Sequence, residues 1–250
     1  MAGHNKWSKI KHRKAVVDKR RGKVWTKVSK AIIVAAKNGG PDPDSNLSLR
    51  YAIDEARYAN MPRDTIERAI KKGSGGEDQS NYETVRYEGY GPGGVAVIID
   101  TLTDNRARTV GDLRLAFSNH GGNLGTTGCV GYLFQPRGVI VIETPGRTDD
   151  QMMELALESG AVDAESSGDP DHPQWTITTT VEDFNAAKAT TEQTKLKILE
   201  ATLAMVPDST VEIRGENARN LIDLIDAIED LDDVQKVYSN AFVPEEEISE

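Results

Sequence analysis

Cysteine appears once in the 250 residues, as Cys129, which excludes an internal disulfide and a cysteine-cluster metal site. Histidine appears four times, at 4, 12, 120 and 172, with no H-E-x-x-H or H-x₃-H spacing to bring two imidazoles onto one metal. No serine stands in a G-x-S-x-G elbow, and nothing near Cys129 in the sequence marks a paired base. No apolar run approaches the ~18 residues of a membrane span. The N-terminal charges are not followed by the apolar stretch of a secretory signal. These absences lead to the expectation of a cytoplasmic, non-enzymatic protein with no cofactor, no metal and no membrane contact. Acidic residues are plentiful between Glu143 and Glu192, but they follow helix surfaces and turns. A Mg²⁺-dependent nuclease is the enzymatic alternative they leave open.

Charge is what the chain has in quantity, and its two signs are kept apart. The net charge is −10, yet residues 1–72 hold 18 Lys and Arg against 7 Asp and Glu, while the remaining 178 hold 12 against 33. Such asymmetry points to a polyanionic partner for the basic part. The segment "GHNKWSKIKHRKAVVDKRRGK" concentrates it. Lysine and arginine neutralise phosphates and release counterions, which gives affinity without reading sequence. The expected nucleic-acid contacts are His4, Asn5, Lys6, Trp7, Lys9, Lys11, His12, Arg13, Lys14, Lys19, Arg20, Arg21, Lys23 and Lys27. Trp7 offers a stacking surface and Asn5 an amide for a base edge. The bland alternative is a solvated arm with Trp7 packed on the helices. Trp25 lies on an apolar stripe and is expected in the core.

Hydrophobic spacing divides the chain. From 21 to 37, Val24, Trp25, Val28, Ile32 and Ala35 recur at helical intervals. Ser45 or Asn46 can cap a second helix, and Pro62 starts a third that ends in Lys71, Lys72 and Gly73. After the polar linker at 74–78, strands are expected at 83–90 and 94–102, a helix at 105–119 and a strand at 130–134. Residues 139–206 read β-α-β-β-α-β, the order of a ferredoxin-like unit. A strand at 210–213, a helix at 216–231 and a strand at 234–241 follow. The expected fold is α+β with three domains: a basic arm and helical domain at 1–75, an α/β domain at 82–138 and 207–243, and a ferredoxin-like domain at 139–206 inserted into it.

Three loops carry candidate chemistry. "GYGPGG" (89–94) matches the letters of a dinucleotide fingerprint, but a strand follows it where the fingerprint needs a helix, so a hairpin turn is expected. In "TDNRART" (103–109), Asp104 and Asn105 suit a helix cap, and Arg106 and Arg108 are candidates for a secondary anion contact. "HGGNLGTTG" (120–128) is long enough for function.

The stretches "AGHNKWSKIKHRK", "PRDTIERAIKKGSG", "YEGYGPGGVAVIIDTLTDNRART" and "GGNLGTTGCVGYLF" closely resemble the YebC/PmpR family of small bacterial proteins, over nearly the whole chain. The resemblance implies a three-domain, helical plus α/β architecture and a non-enzymatic role in gene expression. Members are catalogued as probable DNA-binding transcriptional regulators. Mitochondrial relatives and some bacterial members act on translation at the ribosome. Cys129 stands where the family tends to carry serine. The expectation is therefore a DNA-binding transcriptional regulator, with a ribosome-associated translation factor binding rRNA as the alternative. No helix shows Arg, Asn or Gln at spacings that announce major-groove reading.

Overall fold

The computed structural model describes residues 18–75, 81–169, 171–244 and 247, with side chains from residue 22 onward. Three helices come first: α1 (Asp18–Gly39), α2 (Leu47–Tyr58) and α3 (Arg63–Ser74). Their apolar stripes meet in a core of Val28, Ile32, Ala36, Leu49, Ile53, Ala56, Met61 and Ile66, with Trp25 packed against it. Trp25 also donates its indole N–H to the Ala59 carbonyl at 3.0 Å. Asn46 is the cap of α2: its Oδ1 accepts the Leu49 N–H at 3.1 Å. Its Nδ2 donates back to the Ala35 and Gly40 carbonyls at the end of α1. One side chain thus terminates one helix and starts the next.

Gly73 was expected to end α3, but the helix runs on to Ser74. A Cβ at this position would lie 2.3 Å from the Ile33 carbonyl oxygen of α1. The glycine is there to let two helix backbones approach.

Two antiparallel four-stranded sheets follow. The strands are β1 (Glu83–Tyr90), β2 (Ala96–Thr103), β3 (Asn123–Leu124), β4 (Phe134–Glu143), β5 (Asp163–Ser166), β6 (Gln174–Thr179), β7 (Lys197–Pro207), β8 (Val211–Glu212), β9 (Val234–Ser239) and β10 (Ala241–Phe242). The helices are α4 (Arg106–Asn119), α5 (Asp149–Glu158), α6 (Phe184–Gln193) and α7 (Gly215–Glu229). The first sheet has the order β3-β1-β2-β9 and the second β5-β6-β4-β7, while β8 and β10 form a short parallel pair.

Alternation along the strands builds the layers. Val97 and Ile99 of β2 face Leu113 and Phe117 of α4 and Leu221, Leu224 and Ile225 of α7. Ala96 and Ile98 face the other way, onto Val139 and Val141 of β4. Ile140 and Ile142 of β4 point outward to Met152 and Leu155 of α5 and Phe184 of α6. The two sheets are therefore back to back with helices outside. The runs "VAVII" and "VIVI" have no polar face because both faces are buried. Each such isoleucine or phenylalanine contributes about 1.5–3 kcal/mol.

The expected strand at 130–134 is instead a single turn of 3₁₀ helix at Gly131–Leu133, and β4 begins only at Phe134. The cause is Glu88, whose carboxylate takes the N–H groups of Val130 and Gly131 that a ladder would have used. "GYGPGG" is the turn of the β1–β2 hairpin, with Tyr90 opposite Ala96. Gly93 and Gly94 supply its positive φ values of 70° and 76°.

Gly73→Ala should cost about 1–3 kcal/mol in urea unfolding, because the α1–α3 contact has no room for a methyl group. Gly22 is the control, since it is exposed inside α1 and a methyl group there would meet nothing within 4 Å. Gly22→Ala should stabilise by about 1 kcal/mol.

Candidate nucleic-acid interface

Of the expected contacts, His4, Asn5, Lys6, Trp7, Lys9, Lys11, His12, Arg13 and Lys14 lie outside the described residues. Lys19, Arg20 and Arg21 fall in the first turn of α1, and their side chains are also outside the description. Lys23 and Lys27 are described, and both face the protein body. Lys23 pairs with Asp230 at 3.0 Å, and the Lys27 ammonium donates to the Glu229 carbonyl at 2.6 Å. Lys30, one turn further on, donates to the Leu102 carbonyl at 2.9 Å and the Asp233 carboxylate at 3.0 Å.

These lysines grip the C-terminal end of α7. A helix C-terminus carries partial negative charge on its unpaired carbonyls. Here Glu229, Asp230, Asp232 and Asp233 add carboxylates to that end. The clustering is unfavourable for α7 alone, and the lysine row of α1 neutralises it.

Asp233 is the centre of the contact. Buried behind α1, it accepts from Lys30, from Arg108 at 2.6 Å, and from the Thr103 and Thr109 hydroxyls at 3.1 and 2.9 Å. Its backbone carbonyl takes the Leu102 N–H at 2.7 Å. Burial alone would raise the carboxyl pKa. The guanidinium, the ammonium and the hydroxyl outweigh it and hold the group at about 2.

Arg106 and Arg108 both have carboxylate partners within the chain, while their side chains remain 61% and 48% exposed. Arg106 forks onto both oxygens of Glu83, with Nη2 to Oε2 at 2.6 Å. Arg108 spans Asp104 at 2.8 Å and Asp233. Asn105 caps α4 by accepting the Arg108 N–H at 3.1 Å, so the capping role expected for this stretch falls to Asn105 and the pairing role to Asp104. Each arginine has an intramolecular reason to be where it is.

A second clamp joins the helices to the other sheet. Asp54 of α2 binds Lys188 of α6 at 2.5 Å, and Asn185 donates to the Tyr51 hydroxyl at 3.0 Å. Between the helices and the facing edge strands β7 and β9 lies a cleft of about 770 Å³. Its charges are paired within its own walls: Arg86 with Asp100 at 2.7 Å, and Lys236 with Glu55 at 3.8 Å.

The glycine-rich loop is organised by Glu88. This buried carboxylate accepts N–H groups from Gly128, Val130 and Gly131 at 2.9, 2.8 and 2.6 Å. Burial pushes its pKa up, the three N–H dipoles push it down, and the dipoles prevail. Burial and the Glu88 charge push the Cys129 thiol above its ordinary pKa, which disfavours a thiolate nucleophile. Among the described residues, no group of three or more His, Cys, Asp or Glu is placed to hold a metal ion, and no helix is long and apolar enough to cross a membrane.

Sequence reasoning missed Lys30, Asp233 and Glu88. Only Asp233 had a visible signal: the run "EDLDD" at a helix C-terminus, where acidic residues are disfavoured. Glu88 had none, since its partners are backbone groups some 40 residues away.

Comparisons with known proteins agree with one another. Residues 5–76 match the family described as the TACO1/YebC protein N-terminal domain, and residues 82–241 match the TACO1/YebC second and third domain. A probable transcriptional regulatory protein of Clostridium tetani is 49% identical over 247 residues, covering 98% of this chain and 99% of the relative. One from Clostridium botulinum (strain Eklund 17B) is 47% identical over 245 residues, covering 98% of each. The crystal structure of the conserved hypothetical protein Aq1575 from Aquifex aeolicus superimposes with a TM-score of 0.83 at 44% identity. It covers 93% of this chain and 94% of that one.

The Asp233 pKa implies a pH dependence with a definite sign. A depressed carboxyl pKa contributes stability above the unfolded value near 3.8, lost as pH falls through about 2. The wild-type chain should lose about 1–2 kcal/mol through this group between pH 4 and 2. Asp233→Asn should cost about 3 kcal/mol at pH 7, by leaving Lys30 without a carboxylate and Arg108 with Asp104 alone, and should lack that part of the acid loss. Urea titrations of both proteins across this range test it. The double substitution Arg106→Ala with Arg108→Ala should lower the melting temperature while leaving affinity for random duplex DNA unchanged in a gel shift.

Proposed function

Since the chain belongs to the TACO1/YebC family, we propose that it is a non-enzymatic, DNA-binding regulator of transcription acting in the cytoplasm through the basic segment at residues 4–21. One observation carries this reading: the basic and acidic residues are segregated along the chain, with 18 Lys and Arg against 7 acids in residues 1–72 and 12 against 33 beyond. Its relatives' description as probable transcriptional regulatory proteins supports it. The raised thiol pKa of Cys129 supports the absence of a cysteine nucleophile.

In this reading the basic region does two jobs. The row Lys23, Lys27 and Lys30 fastens α1 to the body, and the residues before it contact phosphate. The acidic body is repelled by the same polyanion, which orients the molecule with its N-terminal side toward the nucleic acid. We further read the body as two domains, 82–138 with 207–243, and an inserted 139–206. Support comes from β5, β6 and β7, which lie in sequence between β3 and β9 of the other sheet, and from the order β5-β6-β4-β7, that of a ferredoxin-like sheet.

A second reading, contact with rRNA on the ribosome, is favoured by one observation. The lysine row of α1 faces the body instead of presenting itself to a major groove. Irregular folded RNA needs no such helix.

Removing residues 2–17 leaves the Lys23–Lys30 clamp in place and isolates the phosphate-contacting role. If that segment meets ~5–8 phosphates, the intact chain should bind duplex DNA with a log–log salt slope of about −4.5 to −7. The truncated chain should bind far more weakly and with a shallower slope. Undiminished binding after truncation would refute the reading. Running the same titration on purified ribosomes decides between the two targets.

A further inference from the structure

The glycine-rich loop is rigid at its base and bare at its tip. Besides the three N–H groups on the Glu88 carboxylate, the Gly125 N–H donates to the Glu88 carbonyl at 2.8 Å. The Gly122 N–H donates to the Phe117 carbonyl, also at 2.8 Å. Immediately after the loop, the chain alternates between core and solvent. Val130 is fully buried and Phe134 nearly so, while Tyr132 between them is 72% exposed. The 3₁₀ turn that carries Tyr132 is held by Glu88 through Gly131. The ring is thus mounted on a fixed base and faces water.

A second tyrosine stands beside it. Tyr90 is 38% exposed, neighbours the Tyr132 phenol, and donates its hydroxyl to the Cys129 carbonyl at 2.9 Å. Its cross-strand partner is Asn123, which is exposed. Thr126, Thr127 and Gly128 are exposed at the loop tip, and the Thr126 carbonyl takes the Cys129 N–H at 3.1 Å. This rim offers an amide, two hydroxyls and glycine backbone.

We propose that Tyr132 and Tyr90 form a stacking platform for unpaired bases of single-stranded nucleic acid. It is a second contact, distant in sequence from the basic segment and uncharged, and it rests on the nucleic-acid reading above. None of the rim residues named here is aliphatic, so the rings lack the apolar surround that the core of a protein interface would add. A base needs only an accessible aromatic face, a nearby amide for its edge, and backbone slim enough to admit the sugar and phosphate. Tyr132, Asn123 and Gly128 provide these. A duplex cannot use the platform, because its bases already stack on one another.

The test compares full-length wild type, Tyr132→Ala and Tyr132→Trp. The probes are short fluorescein-labelled homopolymers of thymidine and of uridine, and a random duplex, each at low and moderate salt. Because the ring is exposed, all three proteins should melt alike. Tyr132→Ala should weaken binding of both single strands by about 5–150-fold, the range for loss of a stacked base. Tyr132→Trp should retain it, and duplex affinity should not move. The loss should be the same at both salt concentrations, unlike that caused by removing residues 2–17. If Tyr132→Ala binds single strands as wild type does, or loses single strands and duplex equally, the platform is refuted while the nucleic-acid reading stands. If the wild type binds none of the probes, both fail together.

Discussion

Asp233 ties the helical region to the body. One buried carboxylate receives Lys30 from α1, Arg108 and Thr109 from α4, and Thr103 from the end of β2, while its own peptide carbonyl receives the Leu102 N–H. Two segments distant from it in sequence, around residue 30 and across residues 102–109, converge on it. A charge in such a place is tolerable only when fully paired, so the position of each partner is fixed by the need to satisfy this one group. The face that α1 turns to the body and the start of α4 follow from it, as does the closing of the α7–β9 corner.

The same constraint explains part of the charge segregation. Carboxylates at the C-terminal end of α7 oppose its dipole. They are held there because Lys23, Lys27 and Lys30 arrive from another part of the chain. The acidic body and the basic helix are in this respect complementary halves of one interface. The row's three ammonium groups are thereby used within the chain, and the nucleic-acid proposal rests on the basic residues ahead of it. Part of the basic excess therefore holds the molecule together.

What the sequence made legible was what depends on short-range periodicity. The apolar stripe of α1, a cap at Ser45 or Asn46, the hairpin turn in "GYGPGG" and the apolar strand runs of β2 and β4 could be read directly. Each is decided by residues within a few positions of one another. What could not be read depends on distant partners. Gly73 looks like a helix stop until the Ile33 carbonyl is placed 2.3 Å from its missing Cβ. "VGYLF" looks like a strand until a carboxylate 42 residues earlier takes the Val130 N–H. Arg106 and Arg108 carry no local sign that Glu83 and Asp233 will be their partners. The candidate site was legible as a charge excess and not as a set of contacts, since nothing local distinguishes a lysine that meets phosphate from one that meets a helix end.

Three buried carboxylates thus organise the molecule in three different ways. Asp233 gathers cations from separate elements, Asp54 joins α2 to α6 through Lys188, and Glu88 gathers backbone N–H groups from a single loop. The last case differs in consequence. A carboxylate held by side-chain cations forms an ion pair, and its strength varies with whatever screens or competes for those cations. A carboxylate held by three peptide N–H groups has no mobile partner to lose, and it fixes backbone directly. A loop of glycines and threonines, which would otherwise sample many conformations, becomes a defined shape whose exposed tip and tyrosine ring keep their relative positions. A surface that recognises flat, uncharged groups needs that kind of support, because stacking is short-ranged and, unlike the attraction between a basic arm and phosphate, it gains nothing until the geometry is already correct.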